Sequence, residues 1–402
     1  MESTRSWNAG IDLNFFNNRV EFILDAYIKK TRNLLLQQDY PGYMGTTGNG
    51  AAAAQWANIG SMENKGFEFT LNTVNISNRD FQWRTNVTFS LNRNKVASMN
   101  TQNAFIDKTY QNSGQTEVIT RTAVGHPVSQ FYGYKAIGRI NSASDYLIDN
   151  GDGTSTVKIA TPVLRVGDCV VNSGTDKGSL VKQVYIGDYI YEDLNNDGVI
   201  DEKDQTYLGS PLPKFTYGIN NTFKYKNFDL TVFLYGSYGN KAMNYLSRRI
   251  TNPNSSGNVH RSVANHARLG YLDGNPENTN VWNMYILPGS NGLCRMSVND
   301  ANDNDRISSL YVEDASFLRI QNIALGYTLP KQWLKKLKIE NARIYANIKN
   351  VYTFTGYDGY DPEIGSTQAQ YSYSGQSMLM YGVDTGRCPS PRIYTFGIDL
   401  TF

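Results

Sequence analysis

Paired cysteines, histidine and long apolar runs are all scarce in this sequence. Cys169, Cys294 and Cys388 lie far apart with no CxxC spacing, which indicates neither a zinc site nor a disulfide framework. His126, His260 and His266 are too scattered to suggest a histidine-based metal centre. No apolar run reaches the ~18 residues that a membrane helix needs. Lys and Arg total 38 against 36 Asp and Glu, a net charge of +2, so electrostatics give no case for nucleic acid. The N-terminal stretch MESTRSWNAGIDLNFF has no basic region, apolar segment or small-residue cleavage site of the signal-peptide kind. A polar mean hydropathy leaves two classes open. One is a soluble β-protein; the other is a membrane β-barrel, in which only every second strand residue meets lipid.

Aromatic residues are plentiful: 28 Tyr, 17 Phe and 5 Trp among 402 residues, enough to furnish girdles at a membrane interface. Strict alternation recurs as well. In RIYTFGIDLTF, Tyr394, Phe396, Ile398, Leu400 and Phe402 share one face, and Thr395, Gly397, Asp399 and Thr401 the other. RVEFILDAYIKK and FQWRTNVTFSLN alternate in the same way. Alternation marks strands, because successive side chains point to opposite faces. The template predicts about nine long strands, near 6–16, 19–31, 62–75, 81–95, 214–226, 227–239, 315–329, 341–353 and 391–402. Globular strands average ~5–6 residues and tilted membrane strands ~9–11, and these match the larger figure.

The connections sort by length. Short ones (FFNNR, VNISNRD, KYKNF) alternate with long ones near 32–61, 96–213, 240–314 and 354–390. Outer-membrane barrels have this asymmetry, with short periplasmic turns and long extracellular loops. The expected fold is therefore all-β, an antiparallel transmembrane β-barrel with long extracellular loops. Bacterial barrels have even strand numbers, so an odd count of about nine implies a partial barrel.

One loop carries metal-binding spacing. In DLNNDGVIDEKD, Asp193, Asn195, Asp197, Val199, Asp201 and Asp204 fall at positions 1, 3, 5, 7, 9 and 12 of an EF-hand-type loop. Gly198 falls at position 6, where the chain turns sharply. Position 12 is Asp where Glu is usual, which shortens the reach of that carboxylate. The expectation is a structural calcium site within an extracellular insertion at about 96–213.

Other polar stretches carry weaker signals. IDNGDGTSTV predicts a hairpin turn, and NDANDNDR (299–306) a solvated acidic loop. Asp358, Asp361 and Glu363 in GYDGYDPE offer carboxylates, but their spacing alone does not make a glycosidase. Tyr110, Tyr132, Tyr134, Trp282 and Tyr285 suit loop packing better than sugar stacking. No enzyme motif is present, and no catalytic residue is assigned.

Several segments together resemble the SusC/RagA-type TonB-dependent outer-membrane transporters. They include SWNAGIDLNFFNNRVEFILDAYIKKTRNLLL, NKGFEFTLNT, VGHPVSQFYGYKAIGRI, GDYIYEDLNNDGVIDEKDQTYLGSPLPKFTYGINNTFKYKNFDLTVFLYGSYGN, ASFLRIQNIALGYTLP, NVYTFTGYDGYDPE and PRIYTFGIDLTF. They follow family order across nearly the whole chain. The resemblance implies that residues 1–402 are the C-terminal part of a barrel of roughly 22 strands, without its plug or signal peptide. It further implies location in the outer membrane, in contact with its lipid, and import of a glycan or peptide. A SusD-like lipoprotein would cap the extracellular side, and TonB would act through the missing N-terminal region. The competing expectation is a secreted calcium-binding β-protein that adheres to glycans.

Overall fold

The computed structural model describes residues 2–402, apart from 39–54, 100–103, 113–114, 159–160, 163–178, 182–183, 254–256, 291, 298–299, 301, 336–338 and 366–378. Cys169 and Leu337 fall outside the described residues.

Nine strands form one sheet in chain order. They are β1 (Ser3–Phe15), β2 (Val20–Gln38), β3 (Gln55–Ser77), β4 (Phe81–Ser98) and β5 (Phe215–Tyr225). β6 (Phe228–Tyr238), β7 (Phe317–Thr328), β8 (Asn341–Thr355) and β9 (Ile393–Thr401) complete it. Every pairing is antiparallel. All nine lie where alternation placed them. β2 and β3 run further than expected because they continue pairing with each other as far as Gln38 and Gln55. β1 and β9 are the edges, so the barrel is partial and not closed.

The register carries the alternation of each strand across the sheet. On one face, Leu13 lies opposite Phe22, Phe22 opposite Leu71, Leu71 opposite Val87, Val87 opposite Ile219, and Ile219 opposite Leu234. Towards the other edge, Ile323, Ile348 and Tyr394 continue this face. Its apolar side chains are bare: Phe396 is 80% exposed and Ile398 63%. Aromatic neighbours reinforce it, with Phe22 and Phe69 rings 5.1 Å apart and Phe89 and Phe215 rings also 5.1 Å apart.

The opposite face is polar. Asn14, Glu21, Asn72, Asn86 and Asn220 form one register row across five strands. Asn72 donates to Glu21 at 2.7 Å, and Asn86 donates to Asn72 at 2.6 Å. Lower on this face, Arg343 of β8 donates to Asp229 of β6 at 2.6 Å. It crosses Gly326 of β7, where any Cβ would collide with the guanidinium. No helix in the described residues is long and apolar enough to cross a membrane.

The long connections are not independent loops. Ile119 and Phe131 come from the connection between β4 and β5. Met243, Tyr245, Ile307 and Tyr311 come from the one between β6 and β7, and Met380 and Val383 from the one between β8 and β9. These residues form a single buried cluster. A second cluster joins Ile140, Tyr146 and Ile186 to Met284 and Ile286. Three long connections therefore fold into one body on one side of the sheet.

The 299–306 segment departs from expectation. Among its described residues, Asn302 and Asn304 are 2% and 1% exposed, and Arg306 4%. The short Asn and Asp side chains satisfy one another and nearby backbone, so polarity here serves a buried network. The IDNGDGTSTV stretch is a hairpin, with Leu147–Asp149 pairing antiparallel with Ser155–Val157.

Candidate functional site

The Asp193–Asp204 loop is built from its own carboxylates. Asp193 accepts from the backbone N–H of Asn196 at 2.7 Å and of Gly198 at 2.9 Å. Asn195 accepts from Asp197 N–H at 2.9 Å, and Asp197 from Val199 N–H at 3.0 Å. Asp201 caps a 3-10 turn by accepting from Lys203 N–H at 2.8 Å. Asp204 is fully buried and clasps the two ends of the loop, accepting from Leu194 N–H at 2.9 Å and Asp201 N–H at 2.8 Å. The turn needs positive φ at Asn196 (58°) and Gly198 (81°), the second being the position that the metal-loop pattern reserves for glycine.

The six predicted positions thus lie in one loop, and the side-chain oxygens of the five other than Val199 accept from backbone donors. Among the described residues no group of three or more His, Cys, Asp or Glu side chains converges closely enough to hold a metal ion. The donor set still suits a hard cation, since each carboxylate oxygen keeps a second lone pair beyond its N–H contact. One cation is already near: Lys203 Nζ lies 3.5 Å from Asp201 and 3.8 Å from Asp197.

The loop is anchored on both sides. Ile200 is buried with Tyr134 and Tyr191. Arg306 lies over both tyrosine rings, 4.7 and 4.6 Å from their centres, and Tyr191 donates to the Asn304 carbonyl at 3.2 Å. Beyond Asp204 the chain continues into the strand Gln205–Gly209, which pairs with Gln130–Tyr134, and then into β5.

The buried network behind this loop was not legible in the sequence. Asp188 is fully buried and accepts from Arg295 at 2.7 Å and Asn304 at 3.0 Å. Burial raises its pKa, while Arg295 pulls the other way. Arg248, 2% exposed, pairs with Glu117 at 2.7 Å and reaches Asp305 at 3.6 Å. Asp300 accepts from Asn304 at 2.6 Å. Enclosure, with Asp188, Asp305 and Asp303 nearby, pushes its carboxyl up to about 7. These partners are separated by up to 131 residues, so no local spacing announces them. The only local signal was the density of Asn and Asp in 299–306.

Asp361 and Glu363 of GYDGYDPE belong to a latch, and Asp358 stands outside it, its backbone N–H donating to Glu313. Arg319 of β7 donates to Asp361 at 2.5 Å and to Glu363 at 2.7 Å, while Tyr357 donates to Asp384 at 2.8 Å. Tyr132 and Tyr134 are each only 9% exposed, and Trp282 packs against the second loop cluster, as loop packing requires. Cys294 is buried and Cys388 exposed, and both are free.

An apolar outer face, a polar inner face and long loops gathered on one side define a partial outer-membrane β-barrel. Residues 1–159 match the family described as TonB dependent receptor-like, beta-barrel. The chain is 31% identical over its full length to TonB-dependent receptor P3 of Formosa agariphila, covering 34% of that protein. It is 25% identical over its full length to TonB-dependent receptor SusC of Bacteroides thetaiotaomicron, covering 32% of it. A solved structure of the RagAB peptide transporter superposes with a TM-score of 0.65 at 18% identity, over all of this chain and 35% of that one. Along its whole length the chain is thus similar to TonB-dependent receptors, SusC among them, with the β-barrel family match over residues 1–159, and it spans about a third of the length of the curated relatives it matches.

Proposed function

We propose that this chain forms part of the wall and extracellular loop body of a SusC-like importer that moves glycans or peptides across the outer membrane. One observation carries the reading: nine register-matched strands separate a bare apolar face from a polar one, beneath a shared loop core. The apolar face suits lipid and the polar face a wet lumen. In this reading the remaining wall comes from the rest of the receptor, a SusD-like lipoprotein covers the loop body, and TonB supplies energy from the periplasmic side. No catalytic role is part of this reading: Asp361 and Glu363, two of the carboxylates that could suggest a glycosidase, are engaged by Arg319. The test is accumulation of labelled oligosaccharides and oligopeptides by cells carrying the complete receptor, with and without TonB. Equal accumulation in both would overturn the reading.

The Asp193–Asp204 loop serves this function as a brace. Calcium would be held by Asp193, Asn195, Asp197, Asp201 and Asp204 with the Val199 carbonyl, supplying positive charge that ties the carboxylates together. Its place between the loop core and β5 favours support over cargo binding.

A further inference from the structure

We propose that the groove beside Arg139 binds the carboxylate of a partly apolar ligand, as found at the C-terminus of an oligopeptide or on an acidic sugar. The groove has a volume of about 510 Å³ and lies in the loop body, between the segment 136–141 and the residues Ile286, Leu287, Pro288 and Gly292. The proposal rests on the import reading only for where such a ligand would come from.

Arg139 differs from five arginines of the loop body and its latch. Arg121, Arg248, Arg295, Arg306 and Arg319 each pair with a carboxylate. The hydrogen-bond partners of Arg139 among the described residues are neutral. Its Nε and Nη2 donate to Asn141 Oδ1 at 3.2 and 2.8 Å, and its Nη1 donates to the Leu293 carbonyl at 2.9 Å. Those contacts use three of the five guanidinium N–H groups and fix the orientation of the plane. The charge is therefore held in place and not neutralised by these partners.

The surroundings favour an anion with an apolar body. Ile286, Leu287 and Leu310 line the groove, with Leu287 36% and Leu310 41% exposed. Tyr189 also lines it, and its phenol oxygen is held by Cys294 N–H at 3.1 Å. Apolar walls strip water from an incoming carboxylate and strengthen its charge-assisted contact. The guanidinium is already oriented, so little ordering cost remains on binding. Inorganic phosphate would meet the charge but leave the leucines unused.

The test is calorimetric titration of the detergent-solubilised receptor containing this chain, with three probes. These are a leucine-terminated tripeptide as the free acid, the same peptide as its C-terminal amide, and digalacturonate. The free acid or digalacturonate should bind about ten-fold or more tighter than the amide. Arg139→Gln should remove that difference, and Arg139→Lys should restore only part of it, because lysine keeps the charge without the fork. A response to the peptide alone identifies a peptide carboxylate, and to digalacturonate alone an acidic sugar. If the three probes bind alike, or if Arg139→Gln leaves binding unchanged, the proposal is overturned. Should Arg139→Gln fail to fold, Leu310→Glu sets a carboxylate at the groove without touching the partners of Arg139. Binding of the acid should then fall about ten-fold, and undiminished binding would overturn the site. Uptake that stays TonB-dependent while these titrations fail removes the groove and leaves the importer standing.

Discussion

Arg319 on β7 and Glu363 in the last long connection, 44 residues apart, meet at 2.7 Å. The same guanidinium also holds Asp361 at 2.5 Å and Thr353 at 2.9 Å. Arg319 is only 3% exposed, so this contact latches a loop onto the wall from a nearly buried charge. Arg319→Ala should cost about 3–5 kcal/mol locally, because it leaves a carboxylate without its partner. The two acids should differ. Asp361 is 15% exposed at its side chain and Glu363 51%, so Asp361→Asn should free the loop far more than Glu363→Gln. Hydrogen exchange across residues 356–365 measures both.

The buried acids make the loop body pH-sensitive in a defined direction. Asp300 is pushed up to about 7 and Asp305 to about 6, both chiefly by burial. Their folded pKa values lie above the unfolded ~3.9, so the folded state binds more protons between those limits. The stabilising contribution is full below about pH 4 and is lost as pH rises through about 6 to 7. Exchange protection of residues 302–311, corrected for intrinsic rates, should therefore be greater at pH 5.5 than at pH 8. Asp300→Asn should flatten that difference.

Calcium should bind the Asp193–Asp204 loop and increase exchange protection from Tyr191 to Gly209. Asp193→Ala and Asp197→Ala should each abolish the calorimetric signal, and unchanged binding in both would remove the assignment. Lys203 sits against Asp197 and Asp201, so Lys203→Gln should tighten calcium binding by removing a competing charge.

The two faces of the wall should respond oppositely to charge. Phe396 is 80% exposed on the apolar face, and Phe396→Lys should cost about 2–4 kcal/mol of insertion stability near the bilayer centre. Thr395→Lys, one residue away on the polar face, should cost much less. Urea titration of the receptor in vesicles compares them, and equal costs would contradict the assignment of faces.

The wall was legible because its information is local. A period of two recurs within ten residues, as in Tyr394, Phe396 and Ile398, and needs no distant partner to interpret it. The turn of the Asp193–Asp204 loop was legible for the same reason, and Gly198 takes the positive φ expected at that place. The loop body was not. Its buried arginines find acids far along the chain, as Arg248 finds Glu117, and polarity misled the reading of 299–306 because a satisfied buried network has the composition of a solvated loop.

The two edges of the sheet also have a polarity. β1 leads from the long-loop side into the short turn before β2, and eight successive antiparallel pairings give β9 the same direction. Whatever completes the wall by antiparallel pairing must present a strand of the opposite direction at each seam, which an up-and-down chain does only with an odd number of strands. A second copy inserted the same way up has β1 and β9 as its own borders, so it would meet both seams head-parallel. Self-association is thus the wrong key for this gap, and the partner that fits is one whose first and last strands both run against those of this chain.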